Sequence, residues 1–204
     1  SIKEQNKNIS ELEKLQNLQK QKKELDFKDR QKIQDFIQRQ KQNEELMKEF
    51  SNKLKDNLQN QKTPDQDPMK KELERRMDQV QKESDKNKQL LEELQRLSEK
   101  LNDQDLFDKM QQLQQKSKNQ SKNLEQLVEL TKRFYVEKKM EQIGTKLEKL
   151  AEKQEKLADD SQQNNANKQD EIQKQFKDIQ KEMRDLEKKN QGLKKPMDLP
   201  NQKE

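Results

Sequence analysis

Adjacent carboxylates are the first residues in this sequence that could do chemistry. Examples are Glu44-Glu45, Glu92-Glu93 and Asp159-Asp160. Two carboxyl groups act as general acid and base when their environments push the pKa values apart, usually in a pocket. A chain with 25% hydrophobic and 43% charged residues has little material for a pocket, so these pairs are expected to be solvated. His, Cys and Trp are absent. Their absence removes nucleophile–imidazole triads, imidazole and thiolate metal sites, and disulfides. The polar run from Asp159 to Lys168 lacks the alternating ligands, central Gly and closing Glu of a calcium loop. With two Gly in 204 residues there is no phosphate-binding Gly-rich loop. Lys22-Lys23, Arg75-Arg76, Lys138-Lys139 and Lys194-Lys195 are isolated doublets amid interleaved acids. The net charge of +5 therefore reads as solvated helix faces, because nucleic-acid binding needs clustered cations. No enzymatic activity, cofactor, metal ion, nucleic acid or small-molecule substrate is expected.

Packing and recognition chemistry remain. Met47, Met77, Met110, Met140 and Met183 fall on or beside apolar stripes, where a flexible thioether fills gaps. Phe134-Tyr135 is the one aromatic pair and contains the one Tyr. Gly144 stands inside a strong helix pattern, where Gly costs about 1 kcal/mol relative to Ala. Phe176 is the bulkiest residue of the last heptad run. Phe134, Tyr135, Met140, Gly144 and Phe176 are the candidates for packing or partner contact.

The elements that must position them are helices. Gly and Pro are scarce and Leu, Lys, Glu and Gln abundant, which suits long helices; few apolar residues suffice for a narrow seam between them. A first segment runs through Ile2, Ile9, Leu12, Leu15, Leu18 and Leu25, with Asp26 or Asp29 able to cap a new start and a kink expected there. The second, 29–61, repeats Ile33, Gln40, Met47 and Leu54 at seven-residue spacing, with Phe36, Asn43, Phe50 and Asn57 as the companion set and Ile37 and Leu58 widening the stripe. Thr63-Pro64 and Asp67-Pro68 end it and cap a third helix, 68–101, whose stripe is Met69, Leu73, Met77, Val80, Leu90, Leu91, Leu94, Leu97 and Leu101. A fourth, 104–158, carries Leu106, Leu113, Gln120, Leu127 and Phe134 in one phase and Met140, Ile143, Leu147, Leu150 and Leu157 in another. A stutter or local unwinding is expected between them, making Arg133–Gly144 a hinge. A fifth, 168–192, holds Ile172, Phe176, Ile179, Met183, Leu186, Asn190 and Leu193, with Gly192 and Pro196 as its stop.

The fold expected is all-α, an elongated set of antiparallel helical hairpins forming a coiled-coil bundle, without β-sheet. Residues 1–101 form an N-terminal helix and a hairpin (29–61 with 68–101). Residues 102–193 form a second hairpin from the long helix and 168–192, and 194–204 form a tail. No apolar run reaches the roughly 18 residues a bilayer span needs. Ser1-Ile2-Lys3-Glu4 reads as mid-helix sequence, as expected of a piece of a longer chain.

Four stretches resemble an uncharacterised family of large membrane-anchored proteins from Bacteroidota. They are Leu25-Asp26-Phe27-Lys28-Asp29-Arg30-Gln31-Lys32-Ile33, the run 127–140 (Leu-Val-Glu-Leu-Thr-Lys-Arg-Phe-Tyr-Val-Glu-Lys-Lys-Met), the run 146–158, and Leu193-Lys194-Lys195-Pro196-Met197-Asp198-Leu199-Pro200. The family is known as a domain of unknown function and often labelled "ATPase", a label no residue here supports. Its members carry N-terminal transmembrane helices, β-rich domains and a long coiled-coil region facing the periplasm. The resemblance implies that this chain is part of that last region, at the periplasmic face of the cell envelope, reaching the membrane only through parts outside this chain. The function expected is a non-catalytic spacer, scaffold or protein-interaction module with protein partners. The alternative is a periplasmic holdase arm that cradles unfolded client proteins.

Overall fold

The computed structural model describes residues 2–21, 25–60, 67–99, 103–159 and 166–199. They form five α-helices: α1 (Ile2–Gln21), α2 (Phe27–Gln59), α3 (Pro68–Glu99), α4 (Asp103–Asp159) and α5 (Ala166–Gln191). Helix accounts for 93% of the described residues, and there is no strand among them. The fold is all-α, as the helical spacings and capping residues predict. Asp26 caps α2 by accepting the Asp29 amide at 2.9 Å. Asp67 caps α3 by accepting the amides of Met69 and Lys70, with Pro68 at the first helical position. The Pro64 turn (61–66) and residues 160–165 of the expected polar loop lie outside the described residues.

The chain divides into two compact units, Ser1–Val128 and Glu129–Glu204. The first is built on the α2–α3 hairpin. Along α3 the buried positions Lys70, Leu73, Met77, Val80, Ser84, Asn87, Leu91, Leu94 and Ser98 alternate steps of three and four. That is an unbroken heptad seam. Along α2 the seam is Ile33, Ile37, Gln40, Glu44, Met47, Ser51 and Leu58. Glu44 bonds Ser84, and Ser51 Oγ donates to the Met77 carbonyl seven residues on, seven back on α3. Lys48–Asp85 and Lys55–Asp78, each 3.0 Å, repeat that step on the flank. The two helices are therefore antiparallel. The companion set Phe36, Asn43, Phe50 and Asn57 is corrected: Ile37 and Leu58, expected to widen the stripe, are buried in it, and Glu44 and Ser51 take the two positions between them. Phe36 is buried, but Phe50 is exposed. Apolar character alone selects Phe50, whereas a straight helix keeps the three–four alternation and places polar Glu44 and Ser51 inside.

The hairpin is joined by α1 and the first half of α4. Leu12 and Leu15 of α1, Ile33, Phe36 and Ile37 of α2, Leu90, Leu91 and Leu94 of α3, and Leu106, Phe107, Met110 and Leu113 of α4 share one core. Glu13 accepts from Lys118 at 2.9 Å, and Asn6 from Ser121 at 3.1 Å, so α1 and α4 run antiparallel. The division expected at 101/102 is thereby corrected to 128/129. Helix α4 brings its own seam (Leu106, Met110, Leu113, Gln120, Leu124, Leu127) to close the first bundle.

The second unit is a hairpin of the later part of α4 with α5. Val136, Ile143 and Leu150 pack against Ile179, Leu186 and Leu193. Both sets are seven apart, and the ion pair Lys146–Glu182 and the bond Lys153–Gln175 step in opposite directions, so this pair is also antiparallel. The expected tail is corrected as well. The Asn190 side chain donates to the Met197 carbonyl at 2.7 Å and accepts the Met197 amide at 2.8 Å. Lys194 N–H donates to Glu129 at 2.7 Å, and Met197 and Leu199 pack on the core. Helix α4 runs unbroken through Arg133–Gly144. The expected unwinding there is absent: the buried phase passes from Phe134 to Val136 by residue choice, on a regular backbone.

Candidate interaction surface and a buried polar layer

The solvated reading of the Glu44-Glu45 pair is overturned at its first member. Glu45 lies outside and pairs with Lys88 at 3.0 Å. Glu44 is only 5% exposed. Its carboxylate accepts from Ser84 Oγ, from Asn87 Nδ2 at 3.0 Å and from Gln120 Nε2 at 2.8 Å, and Asn87 also donates to Gln120 Oε1 at 3.0 Å. Helices α2, α3 and α4 thus meet in one polar layer inside an apolar bundle. Burial pushes the Glu44 pKa above the ordinary carboxylate value. The three donors and the nearby Glu83 act after that, the donors downward and Glu83 upward. The sequence signal is the gap in the α3 stripe between Val80 and Leu90. Ser84 and Asn87 fill it at the heptad spacing. Met47, Val80 and Leu124, nearby on the same seams, are all buried.

The second unit presents different chemistry on its two sides. On one side, long polar chains bridge the helices. Glu182 meets Lys146, whose hydrogen bond is the main cause holding the Glu182 carboxyl below its usual range. Lys153 reaches Gln175. Lys189 donates to the Tyr135 hydroxyl at 2.9 Å, with its ammonium 4.4 Å from the ring centroid. On the other side the apolar stripe is left open. A groove of about 650 Å³ runs between Leu147, Leu150 and Ala151 of α4 and Ile172 and Phe176 of α5, edged by Gln154, Gln169, Asp170 and Gln173.

Phe176 is therefore corrected from seam to surface, with 44% of it exposed. It lies three residues before Ile179, about 60° around α5 from the line of Ile179, Leu186 and Leu193. Two helices bury only a narrow strip, and that angle carries Phe176 out of it. Met140 and Met183 pack half-buried at the same border. Gly144 belongs to this side too: a Cβ there would meet no atom within 4 Å. Gly144, Ala151 and Ala158 follow one another at seven residues, a line of small residues beside Leu147. Of the aromatic pair, Phe134 is buried and Tyr135 is exposed but engaged by Lys189. The five sequence candidates thus separate. Phe176, Gly144 and Met140 border the open side, Tyr135 stands on the bridged side, and Phe134 is interior.

Among the described residues no group of three or more acidic side chains is placed to hold a metal ion. No described helix is long and apolar enough to cross a membrane. No family model, curated protein or solved structure matches the chain.

Proposed function

We propose that this chain is a non-catalytic helical scaffold whose second unit is a protein-interaction module, working at the periplasmic face of a cell envelope as the family resemblance implies. The observation carrying the reading is the open side of the α4–α5 hairpin. Phe176, Ile172 and Leu147 border an apolar groove on one side, while an ion pair and long polar chains bridge the other. An apolar groove between two helices suits an amphipathic helix, which buries its own stripe on docking. In the full-length protein in its native cell, a photo-crosslinking residue at position 176 should capture a protein. The same residue at exposed Glu171, around α5 from Phe176, should not. A discrete adduct is the expected product; a ladder of unrelated clients is the outcome for a holdase arm. Equal capture at both positions, or none at 176, sinks the reading.

A further inference from the structure

The inference rests on the open side being an interaction surface, and it names the occupant. We propose that two copies of this chain pair through the open sides of their α4–α5 hairpins, each α4 lying along the partner's α5, in a two-fold four-helix bundle.

The argument is charge complementarity at the rims of the groove. At about 100° per residue, the residues flanking the groove on α4, beyond Gly144 and Ala151, are Glu141, Glu148 and Glu155. They are seven apart and all exposed, Glu141 pairing with Lys138 of its own helix, and Glu137 and Glu152 extend the same flank. The corresponding flank of α5, beyond Phe176 and Met183, carries Lys177 and Arg184, with Lys174, Lys181 and Lys188 next to them, again all exposed, and a single acid, Asp170, one heptad before Lys177. One groove thus has an acidic rim on one helix and a basic rim on the other. A two-fold axis parallel to the helices sets the acidic rim of each α4 against the basic rim of the partner's α5, on both edges at once. A two-fold axis across the helices sets acid on acid and is disfavoured. The surface is therefore complementary to itself in one arrangement, as a two-fold interface requires.

Shape agrees with charge. Gly144, Ala151 and Ala158 keep the α4 side of the groove low, and among the described residues the space above Gly144 is unfilled. Opposite, Phe176 stands proud. In the parallel-axis arrangement the Phe176 side of each copy faces the small-residue side of the other. The bundle so formed has the antiparallel neighbours of a four-helix bundle, with heptad seams already present on every helix. The first unit surrounds its hairpin with two further helices of the same chain; a second copy provides those two for the second unit.

Light scattering and sedimentation equilibrium of the full 204-residue chain test this. Wild type should be a dimer at micromolar concentration. Replacing Glu141, Glu148 and Glu155 by Lys leaves both rims basic. Replacing Lys177, Lys181 and Arg184 by Glu leaves both rims acidic. Each variant alone should weaken self-association by about tenfold or more, and an equimolar mixture should restore a dimer containing one of each. All six positions are exposed, and circular dichroism confirms that the variants keep their helices. Phe176→Asp should disrupt the wild-type dimer independently of rim charge. A monomeric wild type, a dimer indifferent to both rim reversals, or variants that fail to pair on mixing overturns the proposal. A monomeric chain that still crosslinks from position 176 to another protein overturns self-pairing alone and leaves the interaction reading standing.

Discussion

A carboxylate buried among amides gives Glu44 a pH signature opposite to that of a salt-bridged acid. Its pKa is raised in the folded state by burial. Its contribution to stability is therefore fully present below the ordinary carboxylate pKa and is lost as pH rises through the raised folded value. Urea unfolding of wild type and Glu44→Gln across the weakly acidic to neutral range should show wild type losing stability relative to the variant as pH rises. A gap that stays constant, or moves the other way, contradicts the assignment. At the opposite extreme of exposure, Phe176→Ala should change stability by less than about 1 kcal/mol, whereas Ile179→Ala should cost roughly 3 kcal/mol, as buried aliphatic truncations do. Thermal denaturation of the two variants at low concentration separates them. The sequence places both residues on one heptad stripe, and their difference is not legible there. Helical spacing says which residues share a face; how much of that face is covered depends on how many helices arrive to cover it.

At the level of elements, the polar layer of Glu44, Ser84, Asn87 and Gln120 acts on arrangement more than on stability. A buried charged or polar group commonly costs more in desolvation than it returns, while fixing which residues may face one another. Replacing all four positions by Leu should raise the melting temperature. It should also broaden the amide spectrum of α2 and α3, as pairings slipped by one heptad become accessible. A variant that melts higher and keeps one sharp set of resonances shows that the apolar seams alone set the register. Elements and their order were largely legible from caps: Asp26, Asp67 and Pro68 mark helix starts because their side chains or ring suit unpaired backbone groups. Two features were hidden. Glu44 and Ser51 break the rule that seams are apolar, since their partners come from sequence-distant α3 and α4. The folding back of 193–199 joins Asn190, imitating a neighbouring strand for Met197, to the Lys194–Glu129 bond and to Met197 and Leu199 on the core, and no periodicity announces that.

On the scale of the whole chain, the two units are completed by different amounts of sequence. The first closes when α4 has supplied residues up to Leu127. The core of the second includes Leu193, Met197 and Leu199. A chain stopped after Gln191 should therefore lose amide protection along α5 and around Ile143, measured by hydrogen exchange. Unchanged protection there shows that the returning segment is dispensable. The same distribution imposes a timetable during synthesis. Chains emerge at roughly 5–20 residues per second, and N-terminal parts fold first. The first bundle has all its helices once α4 is half made. The rest of α4 then waits, its Val136, Ile143 and Leu150 without a cover, through the synthesis of about fifty more residues at that pace. For that interval of seconds the nascent chain displays a bare apolar stripe while the first bundle is already finished. Any factor that attends this protein at the ribosome therefore has one interval, and one stripe, to attend to.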